Sequence, residues 1–273
     1  LTSRHPLAAL PSLAPAATKP PRFAPKPPRA PKPKTAMILA AGLGKRMRPI
    51  TSTIPKPLVE VHGKALIDYG LDALARNGVE RVVVNVHYMA DLLRAHLRKR
   101  RDMEVLVSDE TDRLLESGGG IVRALPLIGD DPFYLVNSDT FWIDGYRDNL
   151  DLMADLWNPT EADLLLLIAE MRQATGYEGR GDFTMDREGR LRRVAERNLS
   201  PFIYAGAAIL KPDLFRDLAE ETFSLNRVFD TTIETERLFG VRLDGLWLTV
   251  GTPKAVKEAD AAFLASATRM QHA

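Results

Sequence analysis

The chain of 273 residues contains no cysteine, which excludes disulfides, thiolate nucleophiles and cysteine-ligated zinc together. Long apolar runs are missing too: the strictly apolar stretch Leu164–Ala169 is far too short to span a bilayer. No acidic residue precedes Glu60, whereas residues 1–59 carry eleven Lys/Arg. The formal net charge of +1 therefore conceals an acidic body, with 26 basic and 36 acidic residues in 60–273, a net of −10. Nucleic-acid binding wants a basic face, and an acidic body with one basic loop does not supply it. These absences predict a cytoplasmic protein with no nucleic-acid and no membrane partner.

Proline is unevenly spread. Residues 1–34 hold ten of the nineteen prolines, alternate them with Lys, Arg and Ala, and show no apolar periodicity. Such a leader cannot bury enough surface to offset chain entropy and is expected to be disordered. Its early alanines and leucines are interrupted by proline and follow no charged n-region, unlike a secretory signal. Residues 35–270 are expected to form a single domain.

Within that domain the pattern alternates. A β-rich strand is predicted over Thr35–Ala40, a helix over Ala65–Asn77 stopped by Gly78, and a valine-rich strand over Arg81–His87. Further expectations are a short helix from Glu116, a buried strand Phe133–Asn137, a helix Arg147–Trp157 and a strand Ala162–Glu170. Strand and helix in alternation predict an α/β fold with a mixed, mainly parallel sheet flanked by helices. Later come a hairpin around Asp186–Gly189, a strand Phe202–Leu210, a helix Asn226–Leu238, a strand pair around Asp244-Gly245 and a last helix from Pro253.

The residues that carry chemistry begin at the end of the first strand. Met37-Ile-Leu-Ala-Ala-Gly-Leu-Gly-Lys-Arg-Met47 reads as a buried strand running into a glycine loop, with Lys45, Arg46, Arg48 and Lys56 close behind. Backbone N–H groups and cations together suit a polyphosphate. The dinucleotide fingerprint is excluded because Met47 stands where its third glycine belongs, and the Walker spacing does not occur. Pro55 and Pro57 flank Lys56 and restrict its backbone. At the far end of the Phe133–Asn137 strand, Asp139 sits on the same rim of the sheet, where a carboxylate suits Mg²⁺ shared with substrate phosphates. Glu116-Ser-Gly-Gly-Gly120 opens a helix with three glycines, which predicts some close approach to its backbone.

In this order, Leu39-Ala-Ala-Gly-x-Gly-x-Arg, Pro55-Lys-Pro57, Glu116-Ser-Gly-Gly-Gly120, Asn137-Ser-Asp139 and Val250-Gly-Thr-Pro253 resemble the sugar-phosphate nucleotidyltransferases. The likeness runs from about residue 35 to the last helix. Glu116–Gly120 and Gly179-Arg-Gly-Asp-Phe183 are most similar to the bacterial N-acetylmuramate-1-phosphate uridylyltransferases. The resemblance implies a Rossmann-like fold of the nucleotide-diphospho-sugar transferase type and a Mg²⁺-dependent reaction of a nucleoside triphosphate with a sugar-1-phosphate, releasing pyrophosphate. It implies catalytic roles for Arg46, Lys56 and Asp139, with Asp139 as metal ligand. Leu39, Ala40, Ala41, Gly42, Gly44, Glu116, Gly118 and Gly119 are implied to bind the nucleotide. Asn137, Gly181, Glu196 and Arg197 are implied to bind the sugar phosphate. Two positions depart from the family: Thr249 stands where a second metal-binding Asp is usual, and Ala205 where relatives often carry a sugar-contacting Asn. Alternatives are mannose- or glucose-1-phosphate with GTP, dTTP or UTP, and a non-catalytic homologue that binds a nucleotide-sugar.

Overall fold

The structure is a computed structural model that describes residues 29–194 and 198–270. In chain order its elements are β1 (Thr35–Leu39), β2 (Glu60–Val61), β3 (Lys64–Ala65), α1 (Leu66–Asn77), β4 (Arg81–Val86), α2 (Ala90–Leu97), β5 (Glu104–Asp109) and α3 (Glu116–Ile128). They continue with β6 (Phe133–Asn137), β7 (Thr140–Asp144), α4 (Asn149–Leu156), β8 (Leu164–Glu170), β9 (Ala174–Thr175), β10 (Phe183–Met185) and β11 (Leu191–Arg193). The last are β12 (Phe202–Leu210), α5 (Asn226–Glu234), β13 (Leu238–Arg242), β14 (Gly245–Thr249) and α6 (Pro253–Met270).

The main sheet runs β11-β10-β12-β6-β1-β4-β5, with β8 against β12 and β13 against β8. β6, β1, β4 and β5 are mutually parallel, and the second half joins through antiparallel β12. The mainly parallel mixed sheet expected from sequence is thus the observed one. Parallel strands are covered on both faces, which is why β4 reads Arg-Val-Val-Val-Asn-Val with every residue after Arg81 buried. Side chains alternate between the two faces. In β8, Leu165, Leu167 and Ala169 pack with α1 and α4, whereas Leu164, Leu166 and Ile168 pack with α3 and α5. α1 lies close on the sheet because Gly70 has no side chain: a Cβ there would stand 3.2 Å from Val136. That helix ends at Gly78, left-handed at φ 85°, whose N–H closes on Leu74 and Ala75.

Two expectations are corrected. Both strands expected around Asp244-Gly245 are present, but they do not pair with each other: β13 pairs in parallel with β8 in the main sheet, and β14 joins β7 and β9 in a separate three-stranded sheet. The apolar pattern of β13 satisfies a sheet edge that local sequence cannot reveal. The helix expected over Asn226–Leu238 stops at Glu234, because Thr235 and Glu236 turn the chain, with Glu236 at φ 57°, and release Leu238 to pair with Leu164. The small sheet covers a third apolar cluster under α6, built on Met47, Phe141, Leu248 and Val250. The expected disordered leader meets the described structure only at residues 29–34. There Arg29 and Lys32 pair with Asp155 and Asp151 of α4, and Lys34 pairs with Glu80 at 2.9 Å. No helix among the described residues is long and apolar enough to cross a membrane.

Leu166 is fully buried in the middle of β8, so Leu166→Ala should lower unfolding free energy by about 2–5 kcal/mol through lost transfer energy and a residual cavity. Urea denaturation checks this, and a loss near zero would remove Leu166 from the core.

Candidate active site

A cleft of about 420 Å³ opens beyond the carboxyl ends of β1, β4 and β6. The first wall is the loop after β1. Gly44 takes the left-handed conformation at φ 62°, and a Cβ there would come within 2.9 Å of Thr51 and 3.1 Å of Lys56. The Thr51 hydroxyl and the Met47 N–H both donate to the Gly44 carbonyl, at 2.8 and 2.9 Å, folding Lys45–Met47 into a tight turn. Arg46 reaches the cleft beside Gly251, where a side chain would stand 3.8 Å from its guanidinium.

The opposite wall is the tip of β6. Ser138 donates from both its N–H and its hydroxyl to the Leu39 carbonyl, at 3.2 and 2.7 Å, fastening β6 to β1 just where each ends. Val250 donates its N–H to the Asp139 carbonyl at 2.9 Å, tying the exit of β14 to the same point. Asp139 is thereby pinned from both sides, and its Oδ2 lies 2.6 Å from Lys56 Nζ. Lys56 is 12% exposed and Asp139 36%, so the pair stands at the mouth rather than in the core. Lys45, Arg46 and Lys56 against Glu116 and Asp139 leave the lining with an excess of positive charge.

A second cavity of about 280 Å³ shares Asn137 and Asp139 with the first and is lined further by Tyr177, Asp182, Arg193, Tyr204 and Thr249. The Tyr204 hydroxyl is buried with no hydrogen-bond partner, and burial together with the charge of Asp139 raises its pKa. Asp182 accepts the Tyr204 N–H at 2.9 Å. Ala205 is buried, and its carbonyl accepts from Trp247 Nε1 at 2.8 Å and from the Thr140 hydroxyl at 3.2 Å. Ala205 thus serves to tie the small sheet to the irregular stretch of β12.

The structure brings together Leu39, Ala40, Ala41, Gly42, Gly44, Arg46, Lys56, Glu116, Asn137 and Asp139 around the first cleft. Gly118 and Gly119 do not line it. Both donate their N–H to the Phe223 carbonyl, at 2.9 and 3.4 Å. A Cβ on Gly118 would strike the Phe223 ring, and one on Gly119 the Glu221 carbonyl. The close approach that the glycines predict is real, but the partner is the chain itself. Gly181 lines neither cavity; at φ 79° it packs on Ser200 and accepts no side chain, while its neighbour Asp182 lines the second cavity. Glu196 and Arg197 lie outside the described residues.

Sequence reasoning missed Asn85, Ser138, Asp182, Arg193 and Tyr204. For Asn85 a signal was present, a single amide within a valine run. For Tyr204 and Arg193 none was, since their place depends on strand pairing. For metal binding, no group of three or more Asp, Glu, His or Cys is placed to hold an ion among the described residues. The donors offered are the Asp139 carboxylate, with Asp182 and the Thr249 hydroxyl in the adjoining cavity. That set suits a hard cation that takes one or two carboxylates and completes its shell with phosphate oxygens and water.

The nucleotidyl transferase family model matches residues 35–266. The chain is 42% identical over 233 residues to N-acetylmuramate alpha-1-phosphate uridylyltransferase of Caulobacter vibrioides, covering 84% of this chain and 96% of that protein. It is 32% identical over 229 residues to the protein of the same name from Neisseria meningitidis serogroup B, covering 83% and 96%. A solved UDP-glucose pyrophosphorylase, complexed with UDP-glucose, shares the fold with a TM-score of 0.72 at 21% identity, over 86% of this chain and 99% of that one.

The glycines at the start of α3 generate a prediction. Gly118→Ala drives a methyl into the Phe223 ring and should destabilise the fold by about 1–3 kcal/mol, the usual cost of overpacking. Thermal unfolding of the variant measures it, and an unchanged midpoint would mean that the ring swings aside freely.

Proposed function

Because this chain belongs to the nucleotidyl transferase family, we propose that it transfers the uridylyl group of UTP to N-acetylmuramate-1-phosphate, releasing pyrophosphate. The observation that carries this reading is the meeting of Arg46, Lys56 and Asp139 on one cleft at the carboxyl edge of the sheet. In the reaction an oxygen of the sugar phosphate attacks the α-phosphorus in line, the bond from that phosphorus to the bridging oxygen breaks, and pyrophosphate leaves with the electron pair. The attacking oxygen is already ionised and the leaving group is stable, so no side-chain nucleophile is required. The protein has only to position the reactants and neutralise charge.

Arg46, projecting from the turn after the glycine loop, faces the β- and γ-phosphates in this reading. Lys56 lies deeper, and its contact with Asp139 sets its ammonium where the α-phosphate and the attacking phosphate converge. The backbone of Leu39–Gly44 and the side of Glu116 frame the nucleotide. Asn137 stands at the junction of the two cavities, between nucleotide and sugar, and the second cavity receives the sugar. Asp139 would hold Mg²⁺, with Asp182 or the weaker Thr249 hydroxyl at hand beside it. When bound, the ion supplies neutralisation of phosphate oxygens during transfer. A donor made in the cytoplasm, UTP, implies that the enzyme works there.

Pyrophosphate release across a panel of UTP, GTP, CTP and dTTP against N-acetylmuramate-, N-acetylglucosamine-, mannose- and glucose-1-phosphate tests the reading. UTP with N-acetylmuramate-1-phosphate should give the highest kcat/KM, and a higher value for mannose-1-phosphate with GTP would replace it. Binding of nucleotide-sugar without turnover of any pair would make the chain a non-catalytic homologue. Arg46→Ala should lower kcat by ~10²-fold or more, as loss of a preorganised charge at a transferring phosphoryl group does. An unchanged kcat removes Arg46 from the mechanism. Thr249→Asp adds a carboxylate to the cavity that already holds Asp139. It should lower the Mg²⁺ concentration needed for half-maximal rate or leave it as it is, read from a metal titration. A large loss of activity would assign the threonine another task.

A further inference from the structure

Glu110 is fully buried, and the transfer chemistry proposed for the cleft makes no use of it. Its position is fixed by the end of β5, where its N–H donates to the Val86 carbonyl at 2.8 Å. Its Oε1 accepts from Asn85 Nδ2 at 2.7 Å and its Oε2 from the Leu115 N–H at 3.2 Å. Asn85 is itself 2% exposed, lines the cleft, and accepts the Ala40 N–H on its Oδ1 at 2.7 Å. The direction of this relay is forced. A backbone N–H only donates, so Asn85 turns its oxygen to Ala40 and its amino group to Glu110, which must then accept on both oxygens. A carboxylate is the acceptor-only form that can do so. Burial raises the Glu110 pKa above the ordinary carboxylate value, while the bonds from Asn85 and Leu115 and the charges of Arg123 and His87 oppose that rise. The third glycine of the α3 start belongs to the same device: a Cβ on Gly120 would stand 2.6 Å from Glu110 Oε1 and 2.9 Å from Asn85 Nδ2.

We propose that Glu110 is a positioning residue for the nucleotide, holding the first peptide of the glycine loop in place through Asn85. The inference rests on the reading of that cleft as the nucleotide site. Ala40 is 5% exposed, so its N–H needs an internal partner, and the orientation of that peptide determines where Ala41 and Gly42 present their backbone groups. Glu110 touches no substrate; it acts by fixing the surface on which one lies.

The test exploits the asymmetry of the relay. Glu110→Gln sets a donor against a donor, because either Asn85 or the Leu115 N–H then faces an amino group. Asn85→Asp sets two carboxylates against each other. The double substitution reverses the pair and satisfies every partner: the new carboxylate at position 85 accepts from Ala40 and from the amide at position 110, whose oxygen accepts from Leu115. Each single change should raise KM for UTP by about tenfold, the scale of one unsatisfied buried hydrogen bond. KM for N-acetylmuramate-1-phosphate should move by less than about threefold, which a general loss of folding would not achieve. The double variant should return KM for UTP to within about threefold of the parent, the mark of a coupled pair. Amide exchange at Ala40, followed by NMR, should quicken in both singles and slow again in the double. Gly120→Ala, which crowds both side chains without altering either, should raise KM for UTP in the same direction. Failure of the double to recover, parallel rises in both KM values, or unaltered Ala40 exchange in the singles would each overturn the proposal. Should the parent turn over no substrate pair, the functional reading falls instead, and Ala40 exchange decides the relay alone.

Discussion

The site depends on β1 lying between β4 and β6 in parallel register, Ile38 opposite both Val84 and Val136 and Leu39 opposite Asn137. Parallel pairing brings three strand ends to one level, so the segment leaving each strand is delivered to the same rim. β1 leads into a turn rich in cations, β6 runs out to a carboxylate, and β4 places a buried amide just before its end. Their meeting is a matter of register rather than of attraction, although the Lys56–Asp139 contact and the two hydrogen bonds from Ser138 to the Leu39 carbonyl then hold the strand ends together. A slip of one residue would turn Asn85 and Asn137 to the other face and dismantle the cleft.

The start of α3 shows how a glycine cluster can serve the protein instead of a ligand. Each of the three glycines is matched to a different internal neighbour: Phe223, the Glu221 carbonyl, and the Glu110–Asn85 pair. Glycine is costly inside a helix. Here it admits a distant segment of chain against the helix and a polar relay beneath it, and Glu116 at φ 59° begins the helix in a conformation that few side chains adopt. The wall of the cleft at Leu114, Glu116 and Ser117 is therefore supported from behind by residues more than a hundred positions away, with Leu225 also donating its N–H to the Ser117 hydroxyl.

Much of this is legible in the chain. The unbroken leucine run of β8, the valines of β4 and the Gly78 stop of α1 declare their structures locally, and the motif order from Leu39 to Pro253 declares the cleft. Legibility fails wherever long-range pairing decides. Phe141-Trp142-Ile143 forms β7 only because β14 lies beside it, and β13 joins a sheet edge that no local pattern can specify. Gly118 and Gly119 point to a ligand in sequence because glycines there report that something approaches them, not what. Tyr204 and Arg193 reach the second cavity through the pairing of β12 and β10–β11, and leave no mark in spacing or composition.

The entry of the chain into the fold is as directional as the sheet. Residues 29–34 are clamped by Asp151, Asp155 and Glu80 at the amino edge, and β1 then runs the depth of the sheet before it reaches the cleft. A bulky passenger joined directly to residue 29 in place of residues 1–28, or a support to which the protein is tethered at that residue, would hang from the side opposite the mouth. Immobilisation by that end would leave the approach of small solutes unobstructed.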